Sequence, residues 1–135
     1  NTFVARFIGS PPMNLLPGQR AVRDGQPGVA CGALWFPLAE RWHQAVAQQG
    51  DAPLIVGLRP QDILPDAHGA PATVNIMEVT GESTLLHLDW QGFPVHVQVA
   101  GRVAVAAQQT LGLTLRRENL HLFDAASGER LAETR

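Results

Sequence analysis

Hydrophobic and polar positions along this chain change period several times. Phe3, Val4, Phe7 and Ile8 recur at i, i+1, i+4 and i+5, one face of a 3.6-residue repeat. That spacing predicts the end of a helix. Gly9-Ser10-Pro11-Pro12 stops it, because glycine serves as a C-cap and proline cannot continue the ladder. Residues 13–36 read as short strands broken by turns at Asp24-Gly25 and Pro27-Gly28. Residues 38–48 form the best internal helix, with Leu38, Trp42, Ala45 and Val46 on one face, Pro37 at its start and Gly50 at its stop. Trp42 is expected in the core. Leu54-Ile55-Val56-Gly57-Leu58 reads as a buried strand ended by Arg59-Pro60. Residues 65–71, with Pro, Asp, His and Gly, read as a turn or loop.

Beyond that point the period becomes two. Leu86, Leu88 and Trp90 alternate with His87 and Asp89, and Phe93, Val95, Val97 and Val99 alternate with Pro94, His96 and Gln98. Gln91-Gly92 between them predicts a tight hairpin turn. Leu111, Leu113 and Leu115 alternate again, as do Leu120 and Leu122. Asp124 to Gly128 then turns the chain toward a last short strand at Arg130 and Leu131. Many short strands at this spacing predict a mainly β fold, a small barrel or sandwich, with the helices peripheral.

Composition narrows the function. The chain has 135 residues and a net charge of −2, and its ten basic residues are all arginine. They are scattered, so no phosphate-tracking stripe forms and nucleic-acid binding is not expected. Without lysine, the phosphate-binding loop G-x-x-x-x-G-K-[ST] cannot exist here. The single cysteine, Cys31, lies in an apolar stretch and reads as a buried small hydrophobe.

No catalytic constellation emerges. No two of the five histidines have metal-pair spacing; His87 and His96 face each other on the polar side of the predicted hairpin but lack a third ligand. Glu78 and Glu82 bracket a turn, and Ser10, Ser83 and Ser127 sit beside turn signals. A metal site is not expected. The chain reads as one that acts through contacts.

Three segments carry a family pattern. They are Asn1-Thr2-Phe3-Val4-Ala5-Arg6-Phe7-Ile8-Gly9-Ser10-Pro11-Pro12-Met13-Asn14, Val56-Gly57-Leu58-Arg59-Pro60-Gln61-Asp62-Ile63, and Leu120-His121-Leu122-Phe123-Asp124 followed by Ser127-Gly128 and Arg130-Leu131. Together they resemble the C-terminal regulatory half of ATP-binding subunits from carbohydrate-type ABC importers, the maltose and glycerol-phosphate importers among them. The resemblance implies an OB-fold-like β-barrel, the TOBE or MOI domain. Residues 1–9 would end a connector helix and residues 10–135 would form the OB-like domain. A nucleotide-binding domain upstream of Asn1 would hold ATP and Mg, with no cofactor in these 135 residues. The implied partners are a second copy of the subunit, membrane permease subunits and a regulatory protein or small ligand. The implied location is the cytoplasm, at the inner face of the membrane.

The same resemblance assigns hinge or interface positions to Gly9, Ser10, Pro11, Asn14, Arg59 and Pro60. Gly9, Pro11 and Pro12 would set the angle between connector helix and barrel. Asn14 would cap or bridge a turn. Arg59 would either staple loops within the domain or reach another subunit, since its planar fork suits carbonyls and carboxylates alike. A small-molecule sensor for sugar or oxyanion is the alternative function, with Trp35, Trp90 and His96 lining a shallow site.

Overall fold

The structure is a computed structural model that describes residues 11–101, 103 and 105–134. The connector helix expected at residues 1–9, and with it Gly9 and Ser10, lies outside the described residues. The expected mainly β class holds. The chain divides into two compact units, crossing between them after Asn14, after Leu58 and after Leu115.

The first unit runs from Arg59 to Leu115 and includes the chain start up to Asn14. Its sheet holds β5 (Ile63–Thr80), β6 (Ser83–Trp90), β7 (Phe93–Ala100) and β8 (Thr110–Leu115), in the order β7-β6-β5-β8. All three pairings are antiparallel. The period-2 reading of the hairpin holds: Leu86, Leu88, Trp90, Val95 and Val97 are buried on one face. Gln91 and Gly92 both take positive φ, 53° and 95°, as a two-residue turn with the twist of its strands requires.

The stretch at 65–71 is a correction. It belongs to β5, yet it does not pair continuously. Pro65 and Ala70 both oppose Leu113 of β8, so residues 66–69 are an excursion from the ladder. The turn residues signal that excursion rather than a strand end. A Cβ on Gly69 would overlap the Leu113 carbonyl, and one on Gly112 would overlap the Asp66 carbonyl. Two backbones meet there, which only glycine permits.

The second unit holds residues 15–58 and 116–135. Its sheet joins β1 (Asn14–Arg23), β2 (Gln26–Cys31), β3 (Leu34–Pro37), β4 (Leu54–Leu58) and β9 (His121–Asp124) in the order β3-β2-β1-β4-β9. Asp24-Gly25 forms the expected turn. Pro27-Gly28 does not; both residues sit inside β2. Gly28 is there because the Trp35 ring lies on it, leaving no room for a Cβ, while the Trp35 indole donates to the Ala21 carbonyl at 3.0 Å.

The predicted helix starts as a 3₁₀ turn at Glu40–Trp42 and continues as α1 (His43–Gln49). Pro37 ends β3 instead of opening the helix, and Gly50 terminates α1 with φ +61°. Leu38, Trp42 and Val46 are fully buried, as their spacing predicts. Arg41 and Arg130 lie over the Trp42 ring at 5.8 and 5.4 Å. Cys31 is buried, and burial pushes its thiol pKa up to about 12, so it is an inert core residue.

Candidate functional site

The polar groups that stand out in the first unit surround the end of the β6–β7 hairpin and the turn that precedes β5. The turn follows from sequence. Arg59 precedes a proline and is extended (φ −71°, ψ 147°). Pro60 opens the 3₁₀ turn Pro60–Asp62, and the Asp62 N–H donates to the Arg59 carbonyl at 2.9 Å. Pro60 and Asp62 point inward and are buried, whereas Arg59 and Gln61 are exposed. Among the described residues the Arg59 guanidinium meets no hydrogen-bond acceptor or carboxylate. No internal staple by Arg59 is seen among the described residues.

Asn14 does not cap a turn. It acts as one residue of a missing strand: its side-chain amide donates to the His96 carbonyl at 2.9 Å, and its side-chain oxygen accepts from the His96 N–H at 2.8 Å. This seals the outer edge of β7 and ties the chain start to the hairpin. Pro11 is half-buried and lies outside any strand.

His87 and His96 meet across β6 and β7 in register, as the hairpin predicts. They are not simple solvent-facing side chains. Their rings pack edge to face with centroids 4.6 Å apart, and His87 Nε2 lies 3.5 Å from Glu78 Oε1. The His96 pKa is held below its ordinary value by desolvation first and by the neighbouring His87 second, with Glu78 opposing. Among the described residues no group of three or more His, Cys, Asp or Glu side chains could hold a metal ion. Trp90 is fully buried, and its indole donates to the Ala70 carbonyl at 3.1 Å. Its face is thus unavailable to a sugar, which removes Trp90 from the expected shallow site.

Sequence reasoning missed a further set. Gln61, Glu82, Ser83, Gln98 and Ala100 line a cleft of about 380 Å³. These residues are far apart in sequence, and only the Ser83↔Ala100 end of the hairpin ladder could have joined part of the set.

The family pattern can now be weighed against known proteins. The TOBE domain profile matches residues 56–123, half of the chain. The chain belongs to the TOBE domain family. The mainly β, OB-like class expected from the resemblance is the class of this TOBE chain. It is 37% identical over 98% of its length to the sn-glycerol-3-phosphate import ATP-binding protein UgpC of Ruegeria pomeroyi, covering 35% of that protein. It is 35% identical over 97% of its length to the protein of that name from Cupriavidus metallidurans, covering 37% of it. The Escherichia coli K12 protein of that name is 33% identical over 96% of the TOBE chain, which covers 36% of it. The TOBE chain thus spans little more than a third of these curated relatives. The resemblance to the regulatory region of importer ATP-binding subunits, drawn from three segments, is borne out. Among its described residues no helix is long and apolar enough to cross a membrane.

Proposed function

We propose that this chain is the regulatory and dimerisation domain of the ATP-hydrolysing subunit of an importer for sugars or glycerol phosphate. It acts by contact and contributes no catalytic residue. ATP and Mg bind in a nucleotide-binding domain upstream of Asn1, and the subunit works in the cytoplasm beneath membrane permease subunits. The observation that carries this reading is the match of nearly the whole chain to import ATP-binding proteins, together with the TOBE profile.

The geometry supports a contact role. Arg59 is exposed and meets no side-chain partner among the described residues, so its fork suits a carboxylate or carbonyl of another subunit. Among the described residues the far half of β5 pairs with β6 alone after Val74, and Ile76, Met77 and Val79 are exposed along it. An open strand edge with apolar side chains is a surface that a second chain covers.

The test is the coding sequence upstream of Asn1 and the activity of its product. A Walker sequence followed by Mg-dependent ATP hydrolysis is expected. An upstream region without one contradicts the reading. The 135-residue chain alone should self-associate only weakly, because contacts between nucleotide-binding domains are missing. Sedimentation of a tight dimer at micromolar concentration contradicts that part.

A further inference from the structure

We propose that Glu78, His87 and His96 form a proton-operated latch that releases Asn14 from the edge of β7. The three side chains come from three neighbouring strands, β5, β6 and β7. His87 and His96 stand directly opposite each other, and their rings meet edge to face with centroids 4.6 Å apart. Glu78 Oε1 lies 3.5 Å from His87 Nε2, and that nitrogen is buried without a hydrogen-bond partner among the described residues.

One register builds both the tie and the ring pair. The His96 N–H and carbonyl bond the Asn14 side chain at 2.8 and 2.9 Å, so both point away from β6. His87 and His96 are therefore a non-hydrogen-bonded pair of the antiparallel ladder, the kind whose side chains come closest. β7 is the edge of its sheet, and among the described strands none holds His96 from outside. A force that parts the two rings thus acts on the backbone atoms that Asn14 holds. Asn14 is the last residue before the chain crosses to the second unit, so the latch governs how firmly that crossing point is held.

Protonation supplies that force. A single carboxylate, Glu78, faces two rings, and two charged rings in contact repel. Desolvation is the first cause that opposes a proton on His96, and His87 from β6 is the second, while Glu78 from β5 favours it. Asp89 on β6, and Arg59 and Asp62 at the 3₁₀ turn packed against β7, are not among the groups that shift it. The proton balance sets the direction. A released His96 has the ordinary histidine value near 6.5, and the latched one has a lower value. Release therefore takes up a proton, so the tie holds above pH 6.5 and weakens as pH falls below it.

The experiment is amide hydrogen exchange and imidazole NMR on the full chain from about pH 8 to about pH 5, the range in which histidine titrates, for the wild type, His87→Gln and Glu78→Gln. Protection, corrected for the intrinsic pH dependence of exchange, should fall at the His96 amide before it falls at other amides of β6 and β7. One proton taken up on release allows a fall of up to about tenfold per pH unit. His87→Gln should reduce the fall, because the second ring charge is gone. Glu78→Gln should extend it, because the carboxylate that favours the His96 proton is gone. Both variants should keep wild-type protection at the alkaline end, which separates release from misfolding. In the wild type, the His96 ring should titrate below about 6.5 and the Asn14 side-chain amide signals should move in step with it. Protection at His96 that does not change with pH, that falls together with every hairpin amide, or that falls alike in the wild type and both variants would each overturn the proposal. So would Asn14 signals that stay fixed while His96 titrates.

Discussion

Among the described residues the second unit ties its C-terminal return to the rest of the unit, while the first leaves several polar side chains untied. In the second unit the C-terminal return is pinned at many points. The Thr134 N–H donates to the Arg41 carbonyl at 2.8 Å, Arg41 pairs with Glu133 at 3.3 Å, and the Gln49 amide donates to Asp124 at 2.7 Å. Arg41 and Arg130 also cover the Trp42 ring. In the first unit the side chains of Arg59, Gln61 and Glu82 meet no hydrogen-bond or ion-pair partner among the described residues; both units expose apolar side chains, Ile76, Met77 and Val79 on β5 and Leu15 and Val22 on β1. The second unit carries the side-chain ties that hold its C-terminal return, and the first carries Arg59, the group that the proposed contact role would use.

The largest expected effect breaks the closed side. Trp42→Ala empties a fully buried ring site and should cost about 3–5 kcal/mol in urea unfolding. Trp42→Phe should cost less than about 2 kcal/mol, because it keeps most of the ring and removes an indole N–H that has no partner among the described residues. Equal costs would mean that a phenyl ring recovers none of the packing that the indole provides.

The next effects test whether the open side is fixed beneath its free groups. Gly69→Ala should destabilise by about 1–3 kcal/mol, since its methyl would press on the Leu113 carbonyl. Asn14→Ala should cost about 1–3 kcal/mol, because the His96 N–H and carbonyl each lose a partner. It should also raise hydrogen exchange at His96 first. Unchanged exchange there would mean that the β7 edge does not need Asn14.

Much of this was legible in the sequence, and the failures have physical causes. The β6–β7 hairpin is local and strictly alternating, so its register, its turn and the His87–His96 pairing could all be read. The helix around Trp42 could be read for the same reason. Pro27-Gly28 was misleading because a glycine needed for a neighbour's ring looks like a glycine needed for a turn. The loop at 65–71 was half right: its residues do leave the ladder, but β8 holds both flanks in one strand. The cleft was invisible because its residues converge only through the stacking of a turn on a hairpin end.

Smaller effects sharpen the contrast further. The folded chain takes up a proton on His96 less readily than the unfolded chain, whose histidine value is near 6.5. Stability should therefore fall as pH drops below 6.5 toward the lowered folded value, and His96→Gln should flatten that slope in thermal melts. A slope unchanged by the substitution assigns the effect elsewhere. Cys31, with its pKa near 12, should resist iodoacetamide at pH values near neutrality until the chain unfolds.

The proposed role of this domain is to hold copies of its parent subunit together. Sedimentation of the full-length subunit without nucleotide, compared with a truncation lacking residues 10–135 and with Arg59→Glu, tests it most directly. The account predicts a dimer for the intact subunit, a monomer for the truncation and a weakened dimer for Arg59→Glu. A truncated subunit that dimerises as tightly as the intact one would contradict it.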